Sequence, residues 1–297
     1  MNGRLKYYLV LHITILIFGF TGIWGKLISL NMYDKTWYRM LIAVFGLGIY
    51  MLFARVSFKA TKADLLKFLI VGGIIAGHWI TFFGAIDIHT VSLALACLSS
   101  AALFTSILEP IVLKRKVDTS ELILGVATII GISIIVGAEF EHIIAIIMAI
   151  TSAFLAALFG VLNNILGKDH RAEKITFFEM IGGVLCISLF YLISGEQLMP
   201  YNLVPTSDWI YLGLLGILAT SIAFVAIIWV MKTLTPFTVA LSVNLEPIYA
   251  IIMGYFLFQE QMSFGFYIGA SLIIATIIVN AIIKRNRRVK AKKLAAV

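Results

Sequence analysis

Long stretches of this chain offer water almost nothing to hydrogen-bond. From Ile143 to Leu158 only Thr151 and Ser152 carry polar side chains, and comparable runs recur along the sequence. A run of about 20 apolar residues spans the hydrocarbon core of a bilayer as a helix. Only helices and closed barrels satisfy their own backbone polar groups there. Barrel strands alternate polar and apolar residues, which these runs do not. Composition agrees: 61% of residues are hydrophobic and 13% charged, whereas a soluble domain is about half apolar and a quarter charged. The expected fold is an all-α membrane protein.

Charges, Gly/Pro and polar clusters divide the chain into ten expected spans. They are Tyr7–Leu30, Trp37–Ala54, Lys67–Ile86, Val91–Leu113, Glu121–Gly137, Ile143–Leu166, Ile175–Ser194, Asp208–Met231, Pro236–Phe258 and Phe264–Ile283. The first is too long for a signal peptide and lacks a small-x-small cleavage site. Basic residues fix the expected orientation. Arg4 and Lys6, Arg55 to Lys67, Lys114 to Lys116, Lys168 to Lys174, Lys232 and the run from Lys284 to Lys293 fall on one side. Lys35 falls on the other with the acids Asp34, Asp87, Glu139, Glu141, Glu196 and Glu260. The positive-inside rule then puts both termini in the cytoplasm, and the expected location is the inner (plasma) membrane. The net charge of +8 needs no nucleic acid, because the basic tail meets anionic headgroups beside the last helix. Trp24, Tyr33, Trp37, Tyr38, Trp209 and Tyr211 read as interfacial anchors.

The two halves resemble each other. Phe18-Gly19 answers Phe159-Gly160, Gly25-Lys26 answers Gly167-Lys168, and the segment from Ala102 to Arg115 aligns with Pro247 to Glu260. Five spans per half is an odd number, so the second half is expected upside down. The charges agree, since Lys114-Arg115-Lys116 closes one span where Gln259-Glu260-Gln261 closes its counterpart. The boundaries are 1–138 for the first repeat, 139–283 for the second and 284–297 for the basic tail. Inverted repeats are characteristic of secondary transporters, which expose one central site to alternate sides.

Phe18-Gly19-Phe20 through Gly25-Lys26, followed by Trp37-Tyr38-Arg39, resembles the drug/metabolite transporter superfamily. Gly77-His78-Trp79-Ile80-Thr81-Phe82-Phe83, Val91-Ser92-Leu93-Ala94 and Leu245-Glu246-Pro247 running to Gln259-Glu260 are similar to its EamA branch. The resemblance covers essentially the whole chain. It implies a ten-helix inverted-repeat permease that exports amino acids or similar small metabolites. It also implies a cavity lined by the first, third, fourth, sixth, eighth and ninth spans. Anionic or phosphorylated compounds such as nucleotide sugars are the alternative substrates; an intramembrane enzyme or lipid-headgroup-handling protein is the alternative of another class.

Charged side chains at bilayer depth cost about 2.5–3.5 kcal/mol on insertion scales, so each needs a reason. Glu246 sits mid-span beside Pro247, as a binder of a substrate ammonium, a proton carrier or a neutral helix contact. Lys26 and Arg39 suit a carboxylate or phosphate, or snorkel to headgroups. His78, with Trp79, Phe82 and Phe83 around it, is a candidate proton relay or an inter-helix hydrogen bond. Asn163, Asn164, Asn244 and Ser100 either bind substrate or knit helices, and Trp24, Trp79 and Tyr249 are candidate cavity walls. Glu109 is expected to pair with the Lys114–Lys116 cluster. The small-residue spacings at Gly73/Gly77 and Gly265/Gly269 are expected to pack helices closely.

No phosphate-binding G-x-x-x-x-G-K-[ST] loop and no H-E-x-x-H motif occurs. Cys97 and Cys186 lie within apolar runs and suggest neither disulfide nor metal. No cofactor, metal or enzymatic activity is expected. The expected partners are a small-molecule substrate, the lipid bilayer and, as candidate coupling ion, the proton.

Overall fold

The computed structural model describes residues 5–137, 142–243 and 263–294, together with 245, 246, 249, 253, 255–257 and 259. Among these residues every regular element is helical: α1 Leu5–Leu27, α2 Met32–Phe53, α3 Lys62–Ile88, α4 Val91–Leu98, α5 Ala101–Leu113, α6 Thr119–Gly137, α7 Ile143–Asp169, α8 Ala172–Ser194, α9 Thr206–Gly213, α10 Ala223–Val230, α11 Pro236–Val243 and α12 Phe264–Leu294. A π-helical stretch, Leu214–Ile222, joins α9 to α10 without a break. Among the described residues seven helical spans are long and apolar enough to cross a membrane, and α6 and α12 contain shorter apolar segments. Large apolar side chains such as Ile13, Leu52, Phe53, Leu192 and Ile193 are exposed. In water that would be a liability; in a bilayer they face lipid tails. The chain is a multi-pass membrane protein.

Polar residues stop and start the spans by capping backbone groups that have no partner within the helix. Asn31 Oδ1 accepts from the N–H groups of Tyr33 and Asp34 at the start of α2, both at 2.9 Å. Thr61 caps α3 and Thr90 caps α4 in the same way. Gly195, at φ 75°, ends α8 in the left-handed conformation that glycine adopts without strain.

Two spans depart from straight α-helix. The expected fourth span turns at Ser99 and Ser100, where the Ser100 hydroxyl donates to the Cys97 carbonyl at 2.8 Å. A hydroxyl bonding back onto its own helix competes with the ladder. In the π stretch, Thr220 and Ser221 donate to the carbonyls of Leu215 and Gly216, each five residues back, at 2.8 and 2.9 Å. The last helix continues through the basic segment as far as Leu294, beyond the expected end at Ile283.

The helices pair in a regular way. α3 packs on α7 and α8, while the π stretch and α10 pack on α2 and α1; α5 meets α7 and α11, and α6 meets α12. Glycines set the closest approaches. A Cβ added at Gly72 would lie 2.0 Å from the Glu179 carbonyl oxygen, and one at Gly182 would lie 2.4 Å from that of Leu69. The glycines expected to matter are less crowded. A Cβ at Gly73 would find nothing nearer than 3.7 Å and one at Gly77 nothing nearer than 3.3 Å, while Gly269 serves by receiving Gly131.

Where α1, α3 and α8 finish and α2 and α9 begin, polar ties close one end of the bundle. Asp34 and Lys35, expected in an outer loop, instead form the first turn of α2 and are fully buried. Asp34 accepts from the Tyr191 hydroxyl at 2.6 Å, and Lys35 Nζ reaches Asp87 at 2.8 Å and the Gly25 carbonyl at 3.2 Å. Burial is tolerated because each charge has found partners. Asp208 accepts from both the N–H and the hydroxyl of Ser29. Tyr38, expected as an interfacial anchor, is buried too and donates to the Met199 carbonyl at 2.6 Å.

Candidate functional site

Between the helices lies a cavity whose empty space, including its mouth, is about 1020 Å³. Its walls come from α1, α2, α3, α4, α5, α7, α10, α11 and Glu246. It extends to Met231 and Pro236, where α10 finishes and α11 begins, away from the polar ties. Aromatic rings dominate the lining: Phe18, Trp79, Phe82, Phe159 and Phe224, with Phe224 packed edge-on to Trp79 and tilted against Phe159.

Arg39 is the cation in this wall. It lies two turns into α2, and its Nε donates to Thr220 Oγ1 at 2.9 Å. Its guanidinium carbon sits 3.6 Å from the Trp79 ring centroid. A planar guanidinium over an indole face is a favourable cation–π arrangement, strongest where water is excluded. The side chain is buried, so it does not snorkel to the headgroups. Glu246 contributes the carboxylate of the wall, and it too is buried. No ion pair joins Arg39 to Glu246 among the contacts of the described residues, so the guanidinium and the carboxyl line one space without a direct bond between them.

His78 lines the cavity and bonds across to α7. Its Nδ1 lies 2.7 Å from Ser152 Oγ and 2.9 Å from the Ser152 carbonyl, while the Ser152 hydroxyl donates to the His78 carbonyl at 3.0 Å. A neutral imidazole protonated at Nδ1 meets all of these contacts. Phe82 and Phe159 flank the ring, so His78 is both an inter-helix bond and part of the wall.

Thus four of the expected site residues, Arg39, His78, Trp79 and Glu246, come together, and five others do not. Lys26 is exposed and gives its ammonium to the carbonyls of Ile86 and His89 at 3.1 and 3.2 Å, where α3 ends. A cation there complements the negative end of the helix dipole. Trp24 stacks with Phe20 outside the lining, and Ser100 bonds back to its own helix between the lining residues Ser99 and Ala101. Asn163 is fully buried beside Glu179. Tyr249 packs against Gly19, where a Cβ would come within 3.0 Å of it. Asn244 lies outside the described residues. Thr220 was not anticipated; its only sequence signal is a hydroxyl pair, Thr220-Ser221, inside an apolar run. Glu109 pairs with Arg115 at 3.1 Å as expected, and its other oxygen accepts from the Phe237 N–H at 2.9 Å at the start of α11.

The model of the EamA-like transporter family matches residues 5–137 and again 143–282. The chain belongs to that family. Relatives of this EamA-like transporter include an uncharacterised transporter of Archaeoglobus fulgidus, 24% identical over 67% of this chain and 70% of its own length. Another, the uncharacterised transporter YxxF of Bacillus subtilis, is 24% identical over 81% of this chain and 78% of its own. A solved crystal structure shares the fold, with a TM-score of 0.74 at 15% identity over 95% of this chain and 99% of that one. The EamA-like chain is therefore a transporter and not an enzyme.

Proposed function

We propose that this EamA-like chain is a secondary transporter that exports amino acids or related small metabolites by alternating access. The observation that carries the proposal is the cavity in which Arg39 and Glu246 face one space without pairing, between aromatic walls. An amino acid carries a carboxylate, which suits a guanidinium, and an ammonium, which suits a carboxylate. The rings would take an apolar side chain.

In this reading ten helices form two inverted halves, 1–138 and 139–283, with both termini cytoplasmic in the inner membrane. The family model matching twice, once per half, supports it. So does the exchange of partners: α3 packs on α7 and α8 as the span from Thr206 to Val230 packs on α1 and α2. The glycines repeat the correspondence, since Gly72 receives the Glu179 carbonyl as Gly216 receives that of Arg39. With that orientation, the ties at Asp34, Lys35 and Asp208 close the outer end, and the cavity faces the cytoplasm. The basic residues from Lys284 onward would meet anionic headgroups along the end of α12.

Counterflow in proteoliposomes loaded with a mixed amino-acid and metabolite panel, with and without a pH gradient, tests this. Selective exchange of one amino acid is expected. Exchange of phosphorylated compounds alone would favour the anionic alternative, for which Arg39 is the attraction. Acceleration by the pH gradient would make the proton the coupling ion. Glu246→Gln is expected to lower exchange by at least tenfold in protein that still inserts and folds, because one charge-assisted hydrogen bond is worth about 1.5–3 kcal/mol. Unchanged exchange and unchanged pH dependence in that variant would remove Glu246 from the site.

A further inference from the structure

Away from the cavity, α7 and α8 hold a second buried carboxyl. Glu179 and Asn163 are both 0% exposed. Asn163 Nδ2 donates to Glu179 Oε2 at 3.4 Å, and that is the single side-chain bond of the pair. The remaining acceptors, Asn163 Oδ1 and Glu179 Oε1, are buried with no donor among the described residues. No cation among the described residues forms an ion pair with Glu179. The charged groups of the elements packed around it are engaged elsewhere or lie at helix ends. On α3, Asp64 and Lys67 pair with each other at the helix start, and His78 is bonded to Ser152. On α2, Arg39 is held at Thr220. On α7, Lys168 and Asp169 are in the last turn, and on α8, Glu173 pairs with Arg171 at the first.

Glu179 is seven residues into α8, about 10 Å along its axis at 1.5 Å per residue. The backbone of α3 lies against it, with no room for a methyl group at Gly72 beside the Glu179 carbonyl. An ionised carboxylate here would be a desolvated charge with a weak amide bond as its only compensation, an arrangement that proteins avoid by neutralising the group. The deficit is a missing donor, and the pair lacks only that.

We propose that Glu179 and Asn163 form a proton-binding site, in which the carboxyl is held as the neutral acid and supplies the donor that Asn163 Oδ1 lacks. Asn163 Nδ2 donates back to the other carboxyl oxygen, so acid and amide make a reciprocal pair. The ligand is a single proton: one O–H bond forms on the carboxylate when it binds and breaks when it leaves. In the arrangement described here the proton is locked in, because its departure would strand a charge between α7 and α8. Release therefore requires those helices to separate and admit water or a cation. The inference stands independently of which substrate enters the cavity.

Infrared difference spectroscopy of the protein in lipid nanodiscs tests it, in H2O and D2O at mildly alkaline pH. A Glu246→Gln background removes the buried carboxyl of the cavity, which no ion pair holds among the described residues. Subtracting the spectrum of the added Glu179→Gln variant is expected to leave a protonated-carboxyl C=O band that shifts in D2O. Loss of carboxylate bands instead would show Glu179 ionised, bridged by water or a cation, and would overturn the proposal. Thermal unfolding gives a second readout. Glu179→Gln can remake both bonds with Asn163, so its Tm should stay within a degree or two of the parent, whereas Asn163→Leu should lose several degrees. Equal losses in the two variants would also overturn it, since a neutral amide would then be no substitute for what Glu179 provides.

Discussion

Gly72→Ala is expected to destabilise the helix bundle strongly. The added Cβ would sit 2.0 Å from the carbonyl oxygen of Glu179 and 2.8 Å from its carbonyl carbon. Both are backbone atoms of α8, so no rotamer change relieves the overlap. The helices must move apart by more than 1 Å to restore ordinary contact, and separating a packed pair forfeits dispersion along the whole seam. Overpacking commonly costs 1–3 kcal/mol; with rigid backbone on one side we expect about 3 kcal/mol or more. Gly73→Ala supplies the control on the adjacent residue, since its Cβ would lie 3.7 Å from the Cys186 sulfur. Size-exclusion profiles and thermal unfolding in detergent should separate the two by ten degrees or so, at about 2–4 °C per kcal/mol for chains of this order. Similar stability for both variants would mean that the α3–α8 seam is looser than described.

Arg39→Ala is expected to reduce exchange by about two orders of magnitude while leaving a folded protein. A charge-assisted or bidentate contact to a substrate carboxylate accounts for about 1.5–3 kcal/mol, and each 1.4 kcal/mol is tenfold. Arg39→Lys should recover little. A lysine keeps the charge but loses both the planar stack on Trp79 and the Nε donor to Thr220, which together aim the guanidinium. Thr220→Val should fall between wild type and Arg39→Lys, because it frees the arginine without removing it. Counterflow rates, normalised to monodisperse protein, give the ranking. Full activity in Arg39→Lys would reduce the residue to a general positive charge.

The spans were legible because a bilayer demands long apolar runs, but apolarity alone starts α2 at Trp37 and α3 at Lys67, whereas the caps Asn31 and Thr61 start them at Met32 and Lys62. Irregularities inside the spans were not legible. The turn at Ser99-Ser100 and the π stretch at Leu214–Ile222 are choices of hydrogen-bond register within largely apolar sequence, marked only by paired hydroxyl residues. Charges close to a predicted end were misplaced for another reason. Lys35 is buried by Asp87 and Gly25, partners that a linear reading cannot bring to it. Arg39 and Glu246 stood out through the cost of charge in lipid, but that cost names no neighbour, and Thr220 is 181 residues from Arg39. Lys26 met the same criterion and serves α3 instead. Glu179 was overlooked although Phe177, Phe178 and Met180 surround it with the same signal that singled out Glu246. The crowded glycines were half visible, since Gly72-Gly73 and Gly182-Gly183 are doublets, and only the fold shows that Gly72 is crowded and Gly73 is not, whereas Gly182 and Gly183 both are.

The π stretch also says something about ancestry and engineering. Its bonds close over five residues instead of four, as though one residue had been inserted into an α-helix and retained. That surplus residue sets the phase between Trp209 and the cavity-facing Phe224, because each residue of a helix advances the face by about 100°. A single deletion within Leu214–Ile222 could therefore restore a clean α-helix and still misdirect everything on one side of it, carrying Thr220 away from Arg39 or Phe224 away from Trp79. Within this span, homologous chains should keep Gly216 and Thr220, vary in the other side chains and hardly differ in length.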